Sequence, residues 1–105
     1  MAHRNAYPFQ RRENRIPMEI PVVLDGHRQV PGAEPTFTEN VSAKGARVVS
    51  VRHWDKGARL VLSSRTGEFR SSARVAYCQP LHDDGYAVGL EFLDRTGRWV
   101  VESAN

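Results

Sequence analysis

Tyr86-Ala87-Val88-Gly89-Leu90-Glu91-Phe92-Leu93 sets Tyr86, Val88, Leu90 and Phe92 against Ala87, Gly89, Glu91 and Leu93. Alternation of period two with the bulky apolar groups in one register marks a strand that turns one face to a core. Upstream, the same period returns in Phe69 to Gln79, Ala58 to Ser63 and Ala46 to Val51. These runs are separated by His82-Asp83-Asp84-Gly85, Arg65-Thr66-Gly67 and Trp54-Asp55-Lys56-Gly57, which carry turn chemistry. Further towards the N-terminus, a short strand is expected around Thr36 to Val41, after a long hairpin loop from His27 to Pro35.

The first strand is read from Ile16, Met18, Ile20, Val22 and Leu24, five apolar residues on one face, ending at the Asp25-Gly26 turn. Pro17 and Pro21 fall on the other face; they forbid a helix and point to an edge position or an oblique entry into a barrel. About six strands result, with no amphipathic helix of useful length before the last dozen residues. Strands at regular spacing with little helix predict an antiparallel barrel or sandwich. Trp99, Val100 and Val101 are expected to form a short terminal helix or a closing strand. Residues 1–9 are read as a flexible tail and residues 10–105 as one barrel domain, since 105 residues with 40% hydrophobic content supply one modest core.

No run approaches the roughly 20 apolar residues that span a bilayer, and Arg4, Arg11, Arg12 and Arg15 occur without the apolar stretch of a secretory signal. Cys78 is the single cysteine, so no intramolecular disulfide forms, which fits a cytoplasmic compartment. The net charge is only +3, but 13 of the 15 basic residues are arginine. Arginine's planar fork pairs two-pronged with phosphate oxygens or with the O6/N7 edge of guanine.

Catalytic patterns are missing. There is no Gly-x-Ser-x-Gly elbow for a nucleophilic serine and no Gly-rich phosphate loop followed by a helix. His3, His27, His53 and His82 are scattered singly, without a cysteine pair at zinc-ligand spacing, and His82-Asp83-Asp84 reads as a polar turn. The expectation is a binding protein with no enzyme activity, no metal and no cofactor.

Two motifs carry that expectation. Arg11 and Arg15, with Arg12 beside the first, make an Arg-x-x-x-Arg pair just before the first strand; such a pair is expected roughly once or twice by chance in this composition. Asn40-Val41-Ser42-Ala43-Lys44-Gly45 is the rarer element, an (Asp/Asn)-x-Ser-x-x-Gly string expected only about 0.04 times by chance.

In this order and placement the two motifs resemble the signature of the PilZ domain family, and the similarity runs from about Gln10 to Leu93. The strand after Gly45, the Lys56-Gly57 turn, Arg74-Val75-x-Tyr77 and Tyr86-x-Val-Gly-Leu-x-Phe92 are similar to the family's later strands. Tyr77 stands where many relatives carry tryptophan, and Asn40 replaces the commoner aspartate, although the family tolerates both. The resemblance implies an all-β fold, a six-stranded antiparallel β-barrel of split-barrel type with a flexible N-terminal arginine loop. It also implies a receptor for the bacterial second messenger cyclic di-GMP, bound through Arg11, Arg12, Arg15, Asn40, Ser42 and Gly45, that relays the signal to a regulated protein.

The chemistry of such a site can be argued from the residues. Arginine forks suit the two phosphates and the Hoogsteen edges of the guanines, the Asn40 carbonyl and Ser42 hydroxyl can accept from guanine donors, and Gly45 permits a positive φ or a close backbone approach. A plainer reading has Asn40 and Ser42 hydrogen-bonding a turn that Gly45 completes. The functional alternatives are a PilZ-like protein-interaction module that has lost ligand binding, and an Arg-rich barrel for single-stranded nucleic acid in which Tyr77 and Tyr86 would stack bases; no nucleic-acid motif accompanies the latter. The expected oligomeric state is a monomer or a ligand-dependent dimer.

Overall fold

The computed structural model describes residues 14–101. The described residues form seven strands: β1 (Ile16–Pro17), β2 (Pro21–Asp25), β3 (Glu34–Ser42), β4 (Gly45–Ser50), β5 (Arg59–Ser64), β6 (Phe69–Pro80) and β7 (Tyr86–Gly97). They make a single antiparallel sheet in the order β1-β3-β2-β5-β6-β7-β4, and a further pairing of β3 with β4 closes it. The result is a six-stranded barrel of β2 to β7 with β1 as an additional short strand on β3. Among the described residues, closure leaves no continuous free edge on the sheet.

The barrel follows from the alternation. Val22 and Leu24, Ala46 and Val48, Leu60 and Leu62, Ala73 and Val75, and Val88 and Leu90 are all buried and point inward from five strands. Register carries this through: Val48 faces Val88, Ala46 faces Leu90, and Val75 faces Leu90 from the other side. A slip of one residue in any strand would send its apolar set to solvent, so burial fixes the pairing.

The expected first strand is broken. β1 pairs as Pro17↔Asn40 and β2 resumes as Pro21↔Phe37, a slip of one residue along the same edge of β3. Proline lacks an amide donor, so the ladder cannot run unbroken through both Pro17 and Pro21. Thr38 fills the gap from inside: its hydroxyl donates to the Met18 carbonyl at 2.7 Å and accepts from the Ile20 amide at 2.9 Å. Only Val22 and Leu24 of the five expected inward residues are fully buried; Ile20 packs partly against the core, while Ile16 (39% exposed) and Met18 (37%) lie at the surface.

The other departures are at the C-terminal end. β7 continues past Leu93 to Gly97, because Asp94, Arg95 and Thr96 pair with Ser72, Ser71 and Arg70 although the segment is polar. Beyond it, residues 98–101 form neither the expected helix nor a strand. Trp99 instead plugs the barrel, 4% exposed, with its ring 4.6 Å from Phe69 and 5.1 Å from Phe92. Its Nε1 donates to the Ser42 carbonyl at 2.8 Å. Each such aromatic pair contributes about 0.5–1.5 kcal/mol beyond the area it buries. The indole thus satisfies its one polar group and closes the end of the barrel on which the Asn40 to Gly45 segment lies. The expected tail over residues 1–9 lies outside the described residues.

Candidate ligand-binding site

The Asn40 to Gly45 segment is the end of β3, a two-residue turn and the first residue of β4, with Ser42 paired to Gly45. Ser42 is fully buried. Its hydroxyl accepts from the Lys44 amide at 3.3 Å and donates to the Gly45 carbonyl at 3.4 Å, long bonds that hold the turn from within. Gly45 has no positive φ. Its requirement is space: a Cβ there would collide with the backbone carbonyl of Leu90 on β7. β7 grips the turn further, as the Phe92 amide donates to the Lys44 carbonyl at 2.8 Å and the Arg95 guanidinium donates to the Ala43 carbonyl. Ser42 and Gly45 therefore shape the hairpin.

Asn40 differs. The β3–β4 register shifts between Thr38 and Asn40, and such a bulge re-aims the side chain beside it. Asn40 is half-buried, and its Oδ1 accepts from Nη1 of Arg15 at 3.1 Å, across 25 residues of chain. The second arginine of the first motif and the first residue of the second motif thus meet on the outer wall of the barrel. Arg11 and Arg12 lie outside the described residues.

Beside this pair runs a second arginine cluster. Arg47, outward on β4, donates from Nε to Glu39 at 2.8 Å and from Nη1 to the Tyr77 hydroxyl at 3.1 Å and to Gln79 at 3.4 Å. Its guanidinium carbon is 5.7 Å from the centroid of the Tyr77 ring, within cation–π range. The hydrogen bond to Glu39 is the main effect holding the Arg47 pKa above its ordinary value, against partial desolvation, so the group stays cationic. The Tyr77 ring lies over Gly89, where any Cβ would strike it. One row further along β6, Arg74 is engaged by Glu91 at 2.5 Å.

Sequence reasoning did not single out Arg47. Arg47 and Tyr77 are 30 residues apart and meet only because β7 inserts between β4 and β6, with Gly89 paired to both. The outward position of Arg47 between the apolar Ala46 and Val48 is the one sequence signal that would have found it. Taken together, the wall offers arginine forks at Arg15 and Arg47, an amide at Asn40 and an aromatic face at Tyr77. Such a set can hold anionic groups and stack against a planar ring. No group of three or more His, Cys, Asp or Glu placed to hold a metal occurs among the described residues, and no helix there is long and apolar enough to cross a membrane.

Comparison with known proteins adds family and fold. The family model described as the PilZ domain matches residues 9–98. Among solved structures, the chain is similar to the Bacillus subtilis inhibitor of motility (MotI/DgrA), with a TM-score of 0.66 and 19% identity over 80% of this chain and 43% of that one. The chain thus spans less than half the length of that protein, and at this identity the likeness is one of fold. A sequence search of curated proteins returns no match.

Proposed function

That this chain belongs to the PilZ domain family is the premise from which we propose that it is a cyclic di-GMP receptor relaying the signal to a protein partner. The observation that carries the reading is the 3.1 Å bond from Arg15 to Asn40, which joins the two motifs on one solvent-facing wall. In the proposed complex, Arg15 and Asn40 exchange this mutual bond for the ligand. Arg11, Arg12 and Arg15 take the phosphates and the O6/N7 edges of guanine, and the Asn40 carbonyl accepts from a guanine donor. Ser42 and Gly45 contribute by holding the hairpin that presents Asn40. Arg47 and Tyr77 flank the same wall and supply a further charge and a stacking surface.

The role is that of a binding module in the bacterial cytoplasm and involves no catalysis. An arginine segment that closes over ligand changes the surface of the barrel, and that new surface is what a regulated protein reads. Motility is one output to examine, because the structurally similar protein is an inhibitor of motility.

The test is isothermal titration of the full chain with cyclic di-GMP, beside Arg15→Ala and with GTP as control. Saturable heat in the wild type, weakened about tenfold to a hundredfold in Arg15→Ala and absent with GTP, is the expected outcome. Absence of heat, together with no competition in a second binding method, would leave the protein-interaction module as the better reading.

A further inference from the structure

The end of the barrel opposite the Asn40–Gly45 hairpin carries a cavity of about 240 Å³ between the β2–β3 loop and the β4–β5 loop. His27, Arg28, His53, Trp54, Asp55 and Arg59 line it. Its wall is rigid. The amides of Gln29 and Val30 both donate to Nδ1 of His27 at 3.1 Å, which leaves Nε2 as the protonated nitrogen, donating to the His53 carbonyl at 2.7 Å. The His27 ring meets Trp54 edge-on, with centroids 4.5 Å apart. Trp54 is in turn fixed by its Nε1 bond to Ser50 at 3.1 Å, and Ser50 donates to the buried Glu34 carboxylate at 2.7 Å.

Against this fixed wall stand two arginines with no hydrogen-bond or ion-pair partner among the described residues. Arg28 comes from the loop after β2 and Arg59 from the first position of β5. Arg59 sits opposite Arg74, whose guanidinium Glu91 already holds. Asp55, the one carboxylate that lines the cavity among the described residues, faces His53 at 3.7 Å. The cavity therefore has an excess of forked positive charge and too little acid to neutralise it. It is also smaller than the ~300–1,000 Å³ of pockets that take drug-sized ligands, a size suited to one compact charged group.

We propose that this cavity is a second ligand site, for a compact phosphate-bearing anion gripped by Arg28 and Arg59 against the His27–Trp54 wall. Two guanidinium groups arriving from separate elements bring two positive charges, of which a single carboxylate neutralises one. A phosphate monoester offers three free oxygens to the same set. The site is distinct in position and residues from the wall that carries Arg15 and Asn40.

Amide and arginine-side-chain NMR of the full chain, titrated with inorganic phosphate and with glycerol phosphate, tests this. The expected result is saturable shifts at Gly26 to Gln29 and at His53 to Arg59, weakened about tenfold or more in Arg28→Gln and in Arg59→Gln. Both arginines are exposed, so these variants keep the fold, and their unchanged dispersion outside the cavity verifies it. Shifts that grow linearly and match those from chloride at equal ionic strength would overturn the proposal. So would an equal response to acetate, indifference to both substitutions, or shifts confined to the Arg15 and Asn40 wall. The outcome is separable from the receptor reading, since Arg15→Ala is expected to leave phosphate binding at the cavity unchanged.

Discussion

The two ends of the barrel are built in opposite ways. At the Asn40–Gly45 end the chain turns in two residues, and the polar backbone of the turn is satisfied by neighbouring strands and by the plug: Phe92 and Arg95 from β7, and the Trp99 indole. At the other end the connections are long, and side chains bind the loops to themselves. His27 accepts from two amides, Glu34 accepts from the Val51 amide at 2.8 Å, Ser50 from the Arg52 amide at 3.0 Å, and Arg52 donates to the Gly32 carbonyl at 2.8 Å. The first end is shaped by the sheet and presents a wall; the second is shaped by its own loops and encloses a cavity. A single barrel thus holds two kinds of polar site, and perturbing one end should leave the other largely intact.

The largest effect is expected from Trp99→Ala. It leaves a void between Phe69 and Phe92 and takes the donor from the buried Ser42 carbonyl, so denaturant titration should read a loss of about 3–5 kcal/mol. Hydrogen exchange should quicken at Ala43 to Gly45 while His27 to Val30 keep their protection; equal loosening of both ends would break the contrast. Gly45→Ala comes next. Its Cβ meets backbone on β7, which cannot rotate away, and a cost of about 2–3 kcal/mol is expected, with rearrangement confined to the hairpin end. Glu34→Gln acts on the other end, where the amide cannot accept from both Ser50 and the Val51 amide. A loss of about 1–2 kcal/mol in chemical denaturation is expected, with NMR shifts at Val51 to Trp54 and none at Asn40. The smallest effect belongs to Arg74 and Glu91, a half-exposed pair on the outer wall; a double-mutant cycle should give a coupling below about 1 kcal/mol that shrinks with salt.

The sequence made the inward faces readable because alternation reports burial directly. Tyr86 to Leu93, Ala58 to Ser63 and Phe69 to Gln79 gave strands whose beginnings lie within a residue of those found. Pairing without burial left no such trace, so the polar end of β7 from Asp94 to Gly97 went unread. The strand expected through Met18 failed because its alternation was genuine but two prolines had removed the amides that pairing needs. Trp99 looked like part of a terminal element and proved to be a plug, a role that spacing cannot express. In the site, Ser42 and Gly45 were legible as a turn because their spacing is local. The meeting of Arg15 with Asn40 carries no trace in the residues alone, and the meeting of Arg47 with Tyr77 depends on which strand lies between them. The cavity of Arg28 and Arg59 is further still from sequence, since its walls come from two loops joined only by barrel closure.

Gly45 resting on the Leu90 carbonyl also has a consequence for the order of events in folding. β4 is synthesised long before its partner β7, and every pair between them, from Ser50↔Tyr86 to Gly45↔Glu91, spans a large part of the chain. Non-local pairing of this kind places folding on the order of milliseconds to seconds. A chain still emerging from the ribosome can close the β3–β4 hairpin but lacks the strand that grips it, and Trp99 arrives later still. The Asn40 wall is therefore among the last surfaces to acquire its shape, and a nascent or C-terminally clipped chain would be blind to any ligand that the finished barrel binds there.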